Sequence, residues 1–500
     1  MKIKRMFNLL TAACCLSFIS SAQSTQLDAY GGFTDIKGEK TGFFHTQKID
    51  GRWWLITPEG HGFWGIGMAH PITDFCQSAV TFTYSGDQEA WLRGTIQRMR
   101  DLGFNCVWSG PYCPERLQKG FVDKELAEKV FSEARIPYAF PIPLIKHNVE
   151  LQPGEKRPDV FSDEYRHYVE TLVTKYVPKL KDNPWVMGYY YGFGSWDREI
   201  LWINETIERK ESPGRAHLLG ILEKRYEGNI ETLNGVYSTS FRSFSELIES
   251  GTLVYPDWIR RLKNGYGSMP KQAGAQDQYD DAQALLGAII EQVYRLGYET
   301  IRKYDPNHMV LGSYVKQATL TTEMWQAVDP YIDVLAPQHL SEIFPIKPMA
   351  KALNKPVLIS DQPFGNVYPV HIQGTSTAWG AIPDHVDRLV LYDILADRIS
   401  IDPYFIGVQF CACLVDQSHP DKAYERGQPG FFSIDGECRH HLCRTVQNLN
   451  DQMLDNAVTG PNDQKGKMLE KKYHEIIKRY HGVMRDRKAL LQDHPAIVYP

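Results

Sequence analysis

Eight short apolar runs, separated by stretches whose apolar residues recur at helical spacing, constrain this chain more than any other feature. The runs are Phe63–Ala69, Asn105–Trp108, Tyr138–Leu144, Val186–Tyr191, Met309–Tyr314, Ile332–Ala336, Val357–Ser360 and Phe405–Cys411. Each has strand length, and many end in a polar or aromatic side chain. Between them Trp91–Leu102, Asp163–Leu180, Ala282–Tyr304 and His385–Ile399 carry apolar residues three and four apart, the pattern of helices with one buried face. Alternating strands and helices predict a parallel sheet, and eight such units predict its closure into a (β/α)8 TIM barrel of the α/β class.

Three additions interrupt the repeat. Ahead of the first strand, "TGFFHTQKIDGRWWLITPEGHGFWGIGMAHP" predicts a hairpin with turns at Asp50-Gly51 and Glu59-Gly60. More than a hundred residues separate the fourth run from the fifth, and the part spanning 197–281 reads as a helical insertion with a turn at Asn234-Gly235. It grows from the strand end where barrels keep their active sites, so it either walls a substrate cleft or pads the outer ring. The barrel unit is expected over 41–450 and a C-terminal helical tail over 451–500, with Met468, Tyr473, Ile476, Ile477 and Tyr480 on one face of its helix.

Residues 1–22 are expected to be a secretory signal peptide. Lys2, Lys4 and Arg5 precede the apolar run "FNLLTAACCLSFIS", and Ser20-Ser21-Ala22 supplies small residues for cleavage. Export to a periplasmic or extracellular location follows, with acylation at Cys14 or Cys15 as the lesser alternative. Of nine cysteines seven remain after that cleavage, an odd number at spacings unlike a disulfide scaffold. Cys411, Cys413, Cys438 and Cys443 lack the companions a zinc site needs, so no metal is expected. A formal net charge of -5 without long like-charge runs offers no footprint for nucleic acid, and no second apolar segment is long enough to span a membrane. Aromatic residues make up 12% of the chain, including 11 Trp and 27 Tyr, and serve equally to fill a large core or to stack on sugar rings.

In a closed barrel the C-terminal strand ends converge on one cavity. Those ends bring His70, Trp108, Tyr191, Phe193, Trp196, Gln338, His339, Asp361 and Gln409, with Asp416 in the connection after the last strand. Asp361 stands out: "KPVLISDQPFG" sets Val357, Leu358 and Ile359 directly before an acid, which then faces the mouth as a nucleophile or base, or serves as a structural acid. Trp108, Tyr191, Phe193 and Trp196 are expected to stack on pyranose faces. His70, Gln338 and Gln409 are expected to bind hydroxyls, although plain packing suits each of these residues as well.

The segments "GFFHTQKIDGRWWLITPEGHGFWGIGMAHP", "NPWVMGYYYGFGSW", "KPVLISDQPFG" and "GVQFCACLVDQ…GQPGFFSIDG" resemble, in order and spacing, the landmarks of agarase-type glycoside hydrolases in the retaining (β/α)8 clan. The resemblance runs from about Thr41 to Asp435. It implies a carbohydrate substrate of galactan type and no metal or organic cofactor. In that group the fourth strand ends in Asn-Glu, whose Glu is the acid/base, and the seventh ends in a Glu nucleophile. Here Asp361 falls on the nucleophile position, one methylene shorter. Gly194, or Phe193 with the gap placed differently, falls on the acid/base and transfers no proton. Asp197 and Glu199, just beyond, are the expected stand-ins, with Asp416 and His339 as further candidates. With the leader expected at 1–22, the resemblance therefore implies a glycoside hydrolase of atypical carboxylate mechanism that is exported; the alternative is a catalytically silent carbohydrate-binding barrel.

Overall fold

The structure, a computed structural model, describes residues 26–69, 71–72, 77–111, 121–145, 155–194, 199–263, 269–315, 320–338, 343–363, 393–394, 396–411, 431–433, 435–475 and 478. It is a mixed α/β protein.

The chain opens with a small antiparallel sheet of β1 (Phe33–Lys37), β2 (His45–Ile49), β3 (Arg52–Ile56) and β4 (His61–Phe63), in the order β1-β4-β3-β2. The expected hairpin is its β2–β3 half. Asp50 and Gly51 adopt φ of 48° and 80°, the doubly left-handed turn whose twist matches paired strands. This sheet packs over the N-terminal ends of the strands that follow. The Trp53 N–H donates to Pro403 O (2.7 Å), the Tyr30 ring lies 4.4 Å from that of Trp185, and Phe43 meets His308 edge-on.

Six parallel strands follow: β5 (Gly65–Ala69), β6 (Tyr138–Pro141), β7 (Val186–Gly194), β8 (Met309–Val315), β9 (Val357–Pro363) and β10 (Phe405–Cys411). They form two sheets, β5-β10-β9 and β6-β7-β8. The described residues of β5, β6 and β8 are all buried, which is why these strands read as continuous apolar runs rather than alternating ones.

The second and sixth expected strands are reduced to parallel bridges, Gly67↔Cys106 and Val107↔Tyr138, and Val315↔Pro337 and Leu335↔Val357. Side chains take over part of their hydrogen bonding. Asn105 accepts from the Ile66 N–H (2.7 Å) and donates to Trp64 O (2.9 Å), and Asp333 accepts from the Val310 N–H (2.6 Å). The first expected strand is also divided, because Trp64 separates β4 from β5 and donates its indole N–H to Phe405 O.

Helices alternate with the strands and begin at side-chain caps. Asp87, Asp123, Ser162 and Thr321 accept from N–H groups in the first turns of Gln88–Asp101, Lys124–Ala134, Asp163–Leu180 and Thr322–Val328. Ala275–Tyr304 is the longest described helix and starts two turns earlier than its apolar pattern predicts. None of the described helices is long and apolar enough to cross a membrane.

The insertion is helical as expected, with Glu199–Glu208, Pro213–Arg225, Ile230–Tyr237, Phe244–Glu249 and Asp257–Lys263. The expected turn at Asn234-Gly235 is instead inside a helix capped by Asn229. Asn234 closes the turn that comes after it, accepting from the Phe241 N–H (3.0 Å) and donating to Phe241 O (2.8 Å). Buried Arg215 spans this unit by donating to the carbonyls of Ile207, Leu247, Ile248 and Gly251, at the ends of two helices whose dipoles favour a cation.

The tail packs through the helix at 463–475, where Leu469 and Tyr473 are buried and Arg398 holds Glu470. Met468, expected on the packed face, is 48% exposed.

Two apolar layers result. An inner cluster contains Cys106, Trp108, Ala139, Met187, Tyr190, Tyr314, Ala336, Leu358 and Ile406, with Phe44, Leu55 and Phe63 of the first sheet. A larger cluster joins the opposite sides of the strands to the helices, through residues such as Ile66, Val107, Tyr189, Val310, Ile359 and Val408.

Candidate active site

The C-terminal half of β9 departs from regular pairing. Val408 pairs with Ile359 and Phe410 with Gln362, so Gln409 stands opposite both Ser360 and Asp361. This is a bulge, and bulges re-aim side chains at functional strand ends. Val357 and Ile359 pack in the outer layer and Leu358 in the inner one, and the extra residue breaks that alternation at the acid. Asp361 is 7% exposed, and its N–H donates to Gln338 O at 3.0 Å.

A relay of hydrogen bonds ties this strand end to its neighbours. The Gln409 Nε2 donates to Ser360 O (2.6 Å), and the Gln338 Nε2 donates to Tyr314 O (3.0 Å). The Tyr314 hydroxyl donates to Trp108 O (2.6 Å), and its ring stacks flat on Tyr190, with centroids 4.5 Å apart and planes 1° apart. The Tyr190 hydroxyl donates to Ser109 O (3.0 Å). Trp108, Gln338, Asp361 and Gln409, expected together from their positions at strand ends, thus belong to one connected set. Ser360 and Tyr190 complete it. Ser360 was legible only as an inward-facing position two residues beyond Leu358.

Trp108 is fully buried and lies against β5, where a β-carbon on Gly65 or Gly67 would come within 2.7 or 2.6 Å of its ring. The two glycines clear the space for it. Its indole Nε1 and the Gln409 Oε1 are buried without a hydrogen-bond partner among the described residues.

Tyr191 occupies a different place from the one expected. Its ring is in the helix-side layer, edge-on to Tyr294 and against Gly297, so it does not join the inner cluster. Burial, with Tyr294 beside it, holds its hydroxyl well above the usual phenol range. The reason is strand alternation: of the three consecutive tyrosines only Tyr190 faces inward.

Beyond it the β7 register shifts against β8, and Gly192 takes φ of 108°, a conformation that L side chains rarely adopt. Phe193 pairs with Tyr314 through its backbone. Glu199 opens the helix Glu199–Glu208. The side chains of Phe193 and Glu199, and the whole of His70, Trp196, Asp197, His339 and Asp416, lie outside the described residues. Glu205, further along that helix, is committed to Arg157, accepting from its N–H at 2.7 Å and its guanidinium at 3.0 Å.

No protein-family model matches the sequence. The chain is 23% identical to β-agarase B of Vibrio sp. (strain JT0107) over 84% of its own length, and it spans 49%, about half, of that relative. Three solved structures share its architecture across most of the chain. The agarase AgWH50C superposes with a TM-score of 0.62 (17% identity, 86% of this chain and 68% of that one). PfGH50B gives 0.63 (18%, 87% and 69%), and an exo-β-agarase gives 0.62 (16%, 87% and 68%). The fold is that of the agarases.

On this agarase fold two other features lie apart from the Asp361 set. Asp28, Glu59 and His61 bring potential ligand atoms within 4.8 Å of one another beside the first sheet. Asp28 is already saturated, accepting from the N–H groups of Tyr30 and Gly32, the Thr57 hydroxyl and His61 Nδ1, so it serves to close a turn. A cavity of about 610 Å³ opens between the helices Ala275–Tyr304 and Thr322–Val328, lined in part by Arg225, Tyr279, Glu291 and Glu323, and contains none of the candidate residues.

Proposed function

We propose that this chain is an exported glycoside hydrolase acting on galactans of the agarose type, with Asp361 in the reacting pair. The observation that carries the reading is the acid at the β9 bulge, on an agarase fold, bonded into one set with Gln338, Gln409 and Trp108. In this reading the eight parallel segments close as a (β/α)8 barrel. Support for closure is the run of parallel pairings from β5 through Cys106, β6, β7, β8, Leu335 and β9 to β10 and back to β5. The likeness to β-agarase B supplies the substrate class, and the leader at 1–22 supplies export.

Glycoside cleavage needs a nucleophile or base and an acid for the leaving oxygen. Asp361 fills the first role. The tip of β7, Gly192-Phe193-Gly194, carries no group able to transfer a proton, so Asp197 or Glu199 supplies the acid from the next few residues. The outcome follows from the separation of the two carboxyl groups: about 5 Å sets Asp361 as the nucleophile of a retaining reaction, and about 6.5–9.5 Å leaves room for the water of an inverting one. Phe193 and Trp196 provide stacking faces, and His70, His339 and Asp416 complete the sugar contacts.

The bare tip of β7 also favours a second reading, a silent barrel that binds sugar without cutting it. The test is a panel of agarose, related galactans and their oligosaccharides with purified wild type and Asp361→Asn. The hydrolase reading expects sugar release by the wild type alone. Equal release by both removes Asp361 from the reaction, and binding without release by either establishes the silent barrel.

A further inference from the structure

The segment that follows the last strand and its connection ends in a short hairpin with an unusual pair of thiols. Phe431 and Arg439 close its base through the Arg439 N–H to Phe431 O bond (2.9 Å), and Phe432 bridges Cys438 antiparallel to it. Gly436 turns the chain with φ of 86°. One step beyond, the helix His440–Thr459 begins, and Cys443 lies in its first turns with its thiol 3.4 Å from Phe431 O. The sulfurs of Cys438 and Cys443 are 2.8 Å apart, closer than two non-bonded sulfurs rest and within about 0.8 Å of a disulfide bond length. The Cys438 backbone is held by its bridge to Phe432 and that of Cys443 by its N–H bond to Arg439 O (2.9 Å), so the proximity belongs to the fold.

We propose that Cys438 and Cys443 are a redox pair that closes into a disulfide, locking the hairpin to the first turns of the helix. Cys438 is half-exposed and Cys443 is 8% exposed. Cys438 is the more accessible of the two and so is the sulfur that an oxidant reaches first, while burial, reinforced by the bond from Cys438, pushes the Cys443 thiol up to about 12. The oxidant is a disulfide, either of a small thiol or of a thiol–disulfide oxidoreductase. The Cys438 thiolate attacks one of its sulfurs, forming a mixed disulfide and releasing the first thiolate. Cys443 then gives its proton to solvent and attacks Cys438 Sγ, and the second donor sulfur leaves. Two protein thiols are oxidised and one donor disulfide is reduced.

The bond has a structural role because of what the hairpin touches. Phe431 packs near Phe104, Phe432 lies beneath the Arg98 guanidinium at 4.3 Å, and Arg98 donates to Gly436 O. The chain therefore re-enters the helical layer here on a fixed anchor. An oxidising compartment, where the leader would send the chain, is where such a bond persists. The inference is independent of whether the protein cleaves sugar.

The test equilibrates the full chain in buffers of graded oxidised and reduced glutathione, followed by acid quench, alkylation under denaturing conditions and peptide mass mapping. The expected result is a 438–443 linked peptide, lighter by two hydrogens, that forms at oxidising ratios and reverts at reducing ones. Oxidation should also raise the melting temperature of the wild type and leave that of Cys438→Ser and Cys443→Ser unchanged. Alkylation of both cysteines at the most oxidising ratio overturns the proposal, as does linkage of either to another cysteine. The mapping on wild type stands even if neither variant folds.

Discussion

Before β7 and β8 the buried Asp305 carboxylate is saturated with bonds, whereas after these strands and their neighbours several polar groups stand desolvated and unpaired among the described residues. At the first end Asp305 accepts from His308 Nδ1 (2.6 Å), from the Tyr189 hydroxyl (2.7 Å) and from the N–H groups of Asn307 and His308. The second ring nitrogen of His308 meets Asn183 O at 3.0 Å, so both nitrogens lie within hydrogen-bond reach of an oxygen. At the other end Gln409 Oε1, Trp108 Nε1 and Ser313 Oγ are buried without partners among the described residues. A buried polar group left unpaired costs about 1–3 kcal/mol. The Asp305 cluster is thus organised for stability, whereas on the proposed reading the unpaired groups at the other end of the strands meet a ligand or water.

The sharpest way to break this contrast is to separate activity from stability. Asp361→Asn is expected to lower sugar release by at least about a hundredfold, the order of loss when a proton-transferring or nucleophilic group is removed. Its denaturation midpoint should stay at or above that of the wild type, because the amide needs less solvation than the carboxylate. Release rates and urea unfolding on the same preparations check both halves. A large fall in the midpoint would make Asp361 a structural acid.

The reverse is expected at the other end. Asp305→Ala breaks the buried Asp305–His308 pair and leaves the donors of Tyr189, Asn307 and His308 without their acceptor, and each buried polar group left unpaired costs about 1–3 kcal/mol. Activity per folded molecule should be unchanged. Urea unfolding with activity normalised to folded protein measures it, and a loss confined to catalysis would erase the distinction between the two ends.

The same pair sets a pH dependence. Burial pushes the Asp305 carboxyl up, but the bonds from His308, Tyr189 and the Asn307 N–H outweigh it and hold the group at about 2, below its ordinary 3.8. A depressed carboxyl contributes stability that is complete above the unfolded value and disappears as pH falls through the folded one. The wild type should therefore lose stability between about pH 4 and pH 2, and Asp305→Asn should lose less over that window. Denaturation midpoints taken at half-unit steps compare the two slopes.

How far this contrast could be read beforehand depended on the kind of signal. Apolar runs located all eight parallel segments, because a strand buried on both faces has no polar alternation to obscure it. They could not show that Asn105 and Asp333 divert backbone bonds to side chains and thin the second and sixth segments to bridges. At the site, strand-end position named Trp108, Gln338, Asp361 and Gln409, which hydrogen bonds link into one set. It misplaced Tyr191, since three adjacent tyrosines carry no mark of which faces inward. The β9 bulge was equally hidden, because "ISDQ" reads as an ordinary strand end until its partner's register is known.

The smallest expected effect is the most discriminating. Gln409→Met removes the Nε2 bond to Ser360 O, which is worth about 1 kcal/mol, and also removes the desolvated Oε1, whose burial costs a similar amount. The two changes offset, so stability should move by less than about 1.5 kcal/mol although the residue is fully buried. On the proposed reading oligosaccharide binding should weaken nonetheless, because the Oε1 acceptor assigned to a sugar hydroxyl is gone. Titration calorimetry with a galactan oligosaccharide, set beside urea unfolding, reads both. If Gln409→Met instead destabilises the protein on the scale of Asp305→Ala while binding is untouched, the polarity of this end is structural and the two ends of the strands follow the same rule.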